Sequence, residues 1–315
     1  GLAAGCTFII KPAEQTPLTA IAFVVLAEKA GFPKGVINII TGDPEEIGKE
    51  ITSNPKVRKI SFTGSTAVGR ILMEQSASTV KKLSLELGGN APFIVFDDCD
   101  LDAAVEGLML GKFRNTGQVC VSPNRIYVQE KIYDVFVKKV VDVVKKLKMG
   151  DGLKGDTQLG PLIDDAAIAK VEEHIKDAVQ KGAKIELGGK RHMLGGRFYE
   201  PTVLANVNKS MKLANEETFG PVAPFFKFKT EEEVIEFANN TEFGLAAYFF
   251  SKDIARIWRV AEAIEVGMVG INTGIFASAY MPFGGIKQSG IGREGAKYGM
   301  EEYLELKTLS FGNIK

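Results

Sequence analysis

In the first part of the chain, short apolar runs bounded by turn residues alternate with longer amphipathic segments. One such segment, Leu18 to Ala30, is predicted to form a helix with Pro17 in its first turn. Apolar runs predict strands over residues 6–10, 36–40, 59–62 and 82–86. Strands separated by helices at this spacing indicate βαβ units, so we expect an α/β fold with a parallel sheet.

A second unit is expected to begin after Gly88-Gly89, where two glycines interrupt the pattern. Further strands are predicted over residues 91–96, 125–129, 183–187, 202–204, 221–228, 246–250 and 269–272. Helices are predicted over residues 101–113, 133–147, 164–181, 231–239 and 254–264. Near the end, Tyr303 to Phe311 alternates apolar and polar side chains, which predicts a strand without a local partner.

The composition excludes several classes of function. Lysine plus arginine and aspartate plus glutamate each number 39 among 315 residues, so no net charge attracts nucleic acid or an acidic membrane. Three scattered cysteines are too few for a disulfide framework, so a reducing, cytoplasmic location is expected. No apolar run reaches the length of a membrane span.

Cys120 lies in a polar, turn-rich segment between a helix-like run and a strand-like run. Glu86 lies upstream between apolar neighbours, and nucleophilic catalysis requires such a thiol together with a tuned base. Burial as a small hydrophobe is the alternative for Cys120. Cys99 lies in an acidic turn, where carboxylates raise a thiol pKa, and Cys6 lies in an apolar strand. By elimination, Cys120 is the candidate reactive thiol.

The two histidines, His174 and His192, are predicted to lie in polar surroundings, one on a helix and one in a glycine-rich loop. Neither belongs to a metal-ligand pattern, so no metal site is expected. A cysteine protease or acyltransferase would need a histidine paired with Cys120. The positions of both histidines, far along the chain, disfavour that class.

Four motifs follow one another along the chain: Glu86-Leu-Gly-Gly89, Asn115-Thr-Gly-Gln-Val-Cys120, Glu216-Glu-Thr-Phe-Gly-Pro-Val222 and Pro282-Phe-Gly-Gly285. In their order and spacing they resemble the NAD(P)-dependent aldehyde dehydrogenase superfamily, and the resemblance covers residues 1–315. Segments 284–295 and 297–307 are most similar to the succinate-semialdehyde dehydrogenase branch.

This resemblance implies an oxidoreductase that converts an aldehyde to its acid through a covalent thioester. Cys120 would be the nucleophile, with its backbone N–H in the oxyanion hole, and Glu86 the base that activates water. Residues 1–88 would be the C-terminal half of a Rossmann-like NAD-binding domain, 89–290 the catalytic domain, and 291–315 a C-terminal helix and oligomerisation strand. The resemblance also implies a preceding segment, a homodimer or homotetramer at full length, and a small-molecule aldehyde as partner.

The resemblance further implies NAD or NADP as cofactor, held by Lys11, Glu14, Gly64, Ser65, Leu87, Gly88, Glu217 and Phe219. Free N–H groups at a helix start after Gly64 suit a pyrophosphate. An ordinary strand-to-helix turn is the alternative, since the pattern is not Gly-x-Gly-x-x-Gly. For Lys11 and Glu14 the alternative is a solvated pair of charges at a helix start. For Glu217 and Phe219 it is an acidic pair next to a core phenylalanine. Glu14, assigned to the adenosine ribose, would accept bonds from its hydroxyls and repel a 2′-phosphate, which predicts NAD rather than NADP.

Arg114, six residues before Cys120, is the clue to the substrate. In the succinate-semialdehyde dehydrogenase branch an arginine in this motif binds the far carboxylate of the substrate, and a guanidinium suits a carboxylate. A surface arginine at a helix end is the alternative. The branch usually has a serine where this sequence has Ala277, next to Ser278, and often a second cysteine where it has Ser122.

A carboxylated semialdehyde is therefore the expected substrate, with Arg114 and Ser278 as candidate substrate-binding residues. An uncharged aldehyde is the first alternative. A catalytically silent relative, or an inactive fragment, is the second.

Overall fold

The computed structural model describes residues 1–275 and 278–313. Its first part consists of β1 (Phe8–Ile10), α1 (Leu18–Lys29), β2 (Ile37–Ile39), α2 (Pro44–Ser53), β3 (Lys59–Thr63), α3 (Thr66–Ser76) and β4 (Lys82–Glu86). β1 pairs with β2 and β3 pairs with β4, both in parallel. The alternation predicted from the sequence is present. The single sheet it predicted is not, because β2 and β3 form no ladder with each other among the described residues.

The second part continues with β5 (Ala91–Val95), α4 (Leu101–Lys112), β6 (Pro123–Gln129), α5 (Tyr133–Val144), α6 (Asp165–Gln180), β7 (Lys184–Leu187), β8 (Thr202–Ala205), α7 (Lys212–Asn215), β9 (Val222–Phe228), α8 (Glu231–Asn239), β10 (Phe243–Gly244), β11 (Ala246–Phe250), α9 (Ile254–Ala263) and β12 (Met268–Ile271). The last elements are β13 (Ile286–Lys287), β14 (Gly290–Ile291) and α10 (Ala296–Glu301). Within the described ranges, no helix is both long and apolar enough to cross a membrane.

A seven-stranded sheet in the order β12-β11-β5-β6-β9-β8-β7 organises the second part. All of its neighbouring pairs are parallel except β7 with β8 at one edge. Successive side chains of β5 point to opposite faces of the sheet. Phe93 therefore packs on one face with α4 and α5, and Ile94 packs on the other face with α6, α8 and α9. Burial on both faces explains why these strands are almost wholly apolar.

The first crossing from one part to the other is only four residues long, 87–90, between β4 and β5. The carboxyl end of β4 therefore lies close to the amino end of β5 and of its neighbour β6. β14 returns to pair with β4 in antiparallel register, with Gly290 opposite Glu86. This junction brings the motifs singled out in the sequence to one place.

Two features of the exterior differ from the sequence-based expectations. Residues 304–313 contain no strand, whereas alternation predicted one from Tyr303 to Phe311. A strand requires a partner for its backbone N–H and C=O groups, and the described residues supply none to this tail, so Leu306 and Phe311 stay exposed. α1 buries none of its residues, although an amphipathic helix ordinarily packs its apolar face against a core.

Close backbone packing anchors α4, the helix that leads to Cys120. A Cβ on Gly274, just after β12, would lie 1.8 Å from the carbonyl oxygen of Gly107 in α4. Real Cβ atoms do not approach a backbone atom so closely, so the helix and the loop meet only because residue 274 is glycine.

We therefore expect Gly274→Ala to reduce the free energy of unfolding by about 1–3 kcal/mol, because overpacking forces the backbone to shift. Urea unfolding followed by circular dichroism measures the change. Gly152→Ala is the control, since a Cβ on Gly152 would meet nothing within 4 Å. Equal stability of the two variants would contradict the packing argument.

Candidate active site

Cys120 follows a strained left-handed turn. After α4 ends, Asn115, Thr116 and Gly117 have φ values of 50°, 57° and 75°. A Cβ on Gly117 would lie 2.1 Å from the carbonyl oxygen of Gly220, so only glycine fits there. Buried Thr116 holds the turn, because its hydroxyl donates to the Gly160 oxygen at 3.0 Å and accepts from the Gly160 N–H at 3.1 Å.

Glu86 lies at the carboxyl end of β4 and its side chain is only 5% exposed. Its Oε2 is buried and has no hydrogen-bond partner among the described residues. Burial raises the pKa of Glu86 to about 7; the nearby Glu294 carboxylate adds to the rise and Arg293 opposes it. An unpartnered buried carboxylate oxygen is costly unless it serves a reaction or a ligand. Glu86 therefore meets the description of a proton acceptor poised near neutral pH.

Glu217 lies on the loop before β9 and faces residues 87–90, the link between β4 and β5. The Gly89 N–H donates to Glu217 Oε1 at 3.1 Å. A Cβ on Gly88 would lie 3.2 Å from Glu217 Oε2 and 3.3 Å from Thr66 Oγ1. Burial raises the pKa of Glu217 to about 7, and the Gly89 hydrogen bond opposes that rise. Gly88 thus leaves space beside a carboxylate oxygen that a side chain would fill.

The thiol of Cys120 lies within electrostatic reach of both carboxylates. Burial raises its pKa to about 11, and Glu217 and then Glu86 add to the rise. Cys99 has a pKa of about 11 as well, from burial and its neighbours Asp98 and Asp100. The elimination from sequence assumed that neighbouring carboxylates make Cys99 the weaker acid. The pKa values do not support that assumption, because both thiols have a pKa of about 11. What distinguishes Cys120 is a pair of buried carboxylates, Glu86 and Glu217, whose pKa values are about 7 and whose charges act on the thiol.

The link between the sheets is held by Ser289, which is fully buried. Its hydroxyl donates to the Gly88 oxygen at 2.7 Å and accepts from the Gly244 N–H at 2.9 Å. The Leu87 N–H donates to the backbone carbonyl oxygen of Ser289 at 2.9 Å. A Cβ on Gly69 of α3 would lie 2.6 Å from the Leu87 side chain, so α3 packs closely on this link.

The other predicted cofactor residues lie at the carboxyl ends of the first strands. The Gly64 N–H donates to the backbone carbonyl oxygen of Glu86 at 3.0 Å, and Ser65 Oγ accepts from the Val68 N–H at 3.3 Å as the N-cap of α3. Lys11 and Glu14 form an ion pair with each other, and this bond lowers the pKa of Glu14. In the described part of the chain neither pairs with a residue of the thiol site. 

Phe219 is 39% exposed and has a left-handed φ of 53°. That conformation is unusual for a bulky residue. It turns the backbone between Glu217 and the strand β9.

Arg114 and Ser278 lie in different surroundings. Arg114 is exposed, and its charge opposes the rise that burial causes in the pKa of Tyr248. Tyr248 donates its hydroxyl to the Val121 oxygen at 2.9 Å, so Arg114 borders the Cys120 loop. Ser278 lines a groove of about 390 Å³ together with Glu294 and others. Ala277, named in the sequence comparison, lies outside the described residues.

Residues 1–309 match the model of the aldehyde dehydrogenase family. The chain belongs to the aldehyde dehydrogenase family. It is 60% identical over 313 residues to glutarate-semialdehyde dehydrogenase of Pseudomonas aeruginosa, with 99% of this chain and 65% of that protein covered. It is 60% identical over 311 residues to succinate-semialdehyde dehydrogenase [NADP(+)] of Escherichia coli, with 99% of this chain and 64% of that protein covered.

The crystal structure of succinate-semialdehyde dehydrogenase from Burkholderia pseudomallei superposes with a TM-score of 0.95 at 62% identity, covering 96% of this chain and 63% of that one. The aldehyde dehydrogenase fold and the mixed α/β architecture with a parallel core are therefore shared. The chain spans about 65% of the length of the relatives it matches.

Sequence reasoning missed several residues of this aldehyde dehydrogenase site. Lys112, the last residue of α4, is 1% exposed, and burial lowers its pKa to about 7 while Glu217 opposes that shift. A lysine in an apolar helix, beside Gly111 and Phe113, was the available signal. Ser289 gave none, because serine is common in loops. His174 was predicted to lie in polar surroundings and is instead 1% exposed.

We expect iodoacetamide to alkylate Cys120 slowly at pH 8, with a rate that rises about tenfold per pH unit up to pH 10, because the thiolate reacts. Glu217→Gln removes a negative charge, lowers the thiol pKa and should speed the reaction about three- to tenfold at pH 8. Peptide mass spectrometry measures both thiols. Cys99 is the internal control, and an unchanged Cys120-to-Cys99 ratio would contradict the electrostatic argument.

Proposed function

We propose that the protein oxidises a carboxylated aldehyde, succinate semialdehyde or a close homologue, to the acid with NAD⁺. The observation that carries the proposal is the buried Glu86 Oε2, which lacks a partner among the described residues and belongs to the carboxylate that raises the pKa of the Cys120 thiol. A thiol beside a carboxylate with a pKa of about 7 is suited to covalent catalysis followed by hydrolysis.

In the first step Cys120 reacts as its thiolate: the thiol proton passes to solvent, and the sulfur adds to the aldehyde carbon. A carbon–sulfur bond forms and the carbonyl oxygen becomes an alkoxide. The backbone N–H of Cys120 would donate to that oxygen, which is the usual way such charge is stabilised.

The residues of the link fit a nicotinamide cofactor. Gly88 leaves room beside Glu217 Oε2, a Cβ there falling 3.2 Å away, and Glu217 would hold the nicotinamide ribose, with Phe219 packed nearby. Gly64, Ser65 and the start of α3 would face the pyrophosphate. Lys11 and Glu14 would bind the adenosine ribose, with Leu87 and Gly88 completing the site. When bound, the nicotinamide would supply the hydride acceptor: as the alkoxide collapses, its carbon–hydrogen bond breaks, the hydride leaves to that acceptor, and a thioester on Cys120 remains.

In the second half-reaction Glu86 accepts a proton from water, which attacks the thioester carbonyl. The carbon–sulfur bond breaks, Cys120 leaves as a thiolate and the acid is released. A base with a pKa of about 7 is ionised often enough at neutral pH to remove the proton and strong enough to bind it.

Substrate and cofactor preference rest on two exposed charges. Arg114 borders the Cys120 loop and would bind the far carboxylate, in agreement with the semialdehyde names of the relatives. Ser278 is a second candidate for that role. Glu14 favours NAD by repelling a 2′-phosphate, whereas the relative in Escherichia coli carries NADP(+) in its name. A homodimer or homotetramer is proposed because Leu306 and Phe311 of the C-terminal tail are exposed and would be buried against a second copy of the chain.

We expect Cys120→Ala to abolish turnover in the natural protein that contains this sequence. Glu86→Gln should keep a burst of NADH in the first turnover and slow steady-state turnover about 10²- to 10⁴-fold, because only thioester hydrolysis needs the base. Stopped-flow absorbance resolves the two phases. Glu106→Gln, an exposed change on α4, is the control. Normal steady-state turnover of Glu86→Gln would remove Glu86 from the mechanism.

We expect Arg114→Ala to lower kcat/KM for succinate semialdehyde about 10- to 100-fold, the loss of a charge-assisted bond. An uncharged aldehyde of equal length should be almost unaffected. Arg191→Ala, on a different surface and paired with Glu172, is the matched control. If the uncharged aldehyde is preferred in the wild type, the substrate assignment is wrong. If no aldehyde reduces the cofactor, the protein is a silent relative.

A further inference from the structure

His174 is buried on α6, with only 1% of its surface exposed. Its Nδ1 lies 3.1 Å from Thr218 Oγ1, and its Nε2 lies 3.2 Å from Glu216 Oε2. Both partners belong to the loop between α7 and β9 that carries Glu217. The mechanism proposed above does not use this imidazole.

The two partners define one protonation state. An ionised carboxylate only accepts hydrogen bonds, so Nε2 carries the proton and donates to Glu216. Nδ1 is then the acceptor for the Thr218 hydroxyl. The neutral imidazole therefore satisfies both bonds at once. A second proton on Nδ1 would force the Thr218 hydroxyl to find another acceptor in a buried place.

The bonds of His174 fall on either side of Glu217. Glu216 has extended dihedral angles, φ −116° and ψ 139°, and successive side chains of extended backbone point in opposite directions. When Glu216 and Thr218 are held toward α6, Glu217 is directed the other way, to the Gly89 N–H at 3.1 Å.

The backbone of the same loop is held from β6. Asn124 Nδ2 donates to the Glu216 oxygen at 2.9 Å, and the Thr218 N–H donates to Asn124 Oδ1 at 3.1 Å. The next residue, Phe219, has the left-handed φ of 53°, which costs free energy and requires support from its surroundings. Asn124 supplies that support to the main chain and His174 supplies it to the side chains.

We infer that His174 is a positioning residue: by binding the side chains on either side of Glu217, it holds the Glu217 carboxylate against Gly89 and beside Cys120. Its importance for cofactor binding rests on the proposed function of Glu217. Its effect on the position of Glu217 does not, and can be measured at the Cys120 thiol.

The charged groups that face His174 are Glu216 from the loop and Lys170 and Glu173 from α6 itself. Burial lowers the pKa of His174 below its ordinary value; the Glu216 bond opposes this shift. Because the folded pKa lies below the unfolded one, the histidine makes no difference to stability above about pH 6.5 and favours the unfolded state as the pH falls through the folded value.

The test compares His174→Phe, which keeps a ring without hydrogen bonds, with Thr218→Val, which keeps His174 and removes one bond. His192→Gln is the matched control, since these are the only two histidines of the chain. In each variant the rates of alkylation of Cys120 and Cys99 by iodoacetamide are measured at pH 8, together with the Kd of NAD⁺ by calorimetry. The natural protein containing this sequence is used throughout.

We expect both test variants to raise the Cys120-to-Cys99 rate ratio about three- to tenfold, because a displaced Glu217 lowers the Cys120 pKa. General destabilisation would speed both thiols and leave the ratio unchanged. The Kd of NAD⁺ should rise about tenfold. Equal ratios in His174→Phe, Thr218→Val and His192→Gln would overturn the inference. A wild type that binds no NAD⁺ would overturn the proposed function alone, since the thiol ratio needs no cofactor.

Discussion

Residue 89 carries no side chain, and a Cβ there would lie 2.6 Å from the carbonyl oxygen of Cys120. A second contact of this kind joins Gly117 to Gly220, where the distance would be 2.1 Å. Through these two contacts three loops lie backbone against backbone, and the rest of the site depends on that closeness. It allows Glu217 to reach the Gly89 N–H, and it brings the Cys120 thiol within electrostatic reach of Glu217 and Glu86.

Such closeness removes water from charged groups, and the pKa values follow. The pKa of Glu86 and of Glu217 is raised to about 7, and the pKa of Lys112 is lowered to about 7. Burial is the largest cause in all three cases. Three groups that would be fixed in charge on a surface thus titrate near neutral pH. The charges of the two carboxylates add to burial in raising the pKa of the Cys120 thiol, so the thiol is poorly ionised by itself.

Local patterns predicted most of the elements. α8 and β11 have the bounds that their periodicity and apolar runs predict, and the four motifs that carry the family resemblance converge on one junction. Patterns could not show which strands become neighbours, so the pairing of β4 with β14 across the chain was missed. Nor could they place His174 inside the protein, because its burial depends on the loop of residues 216–220 packing over α6. The alternation of Tyr303 to Phe311 likewise predicted a strand without showing which strand would pair with it, and pairing decides whether a strand forms.

The link of residues 87–90 has a mechanical consequence. It is the shortest path between the two sheets, and it carries Glu86 at one end while lying against Cys120 at the other. Any rotation of the sheet that contains β4 relative to the sheet that contains β5 therefore changes the separation of the Glu86 carboxylate from the Cys120 thiol. A molecule bound against both sheets beside residues 87–90 would therefore act on that separation, which couples its binding to the alignment of Glu86 with Cys120.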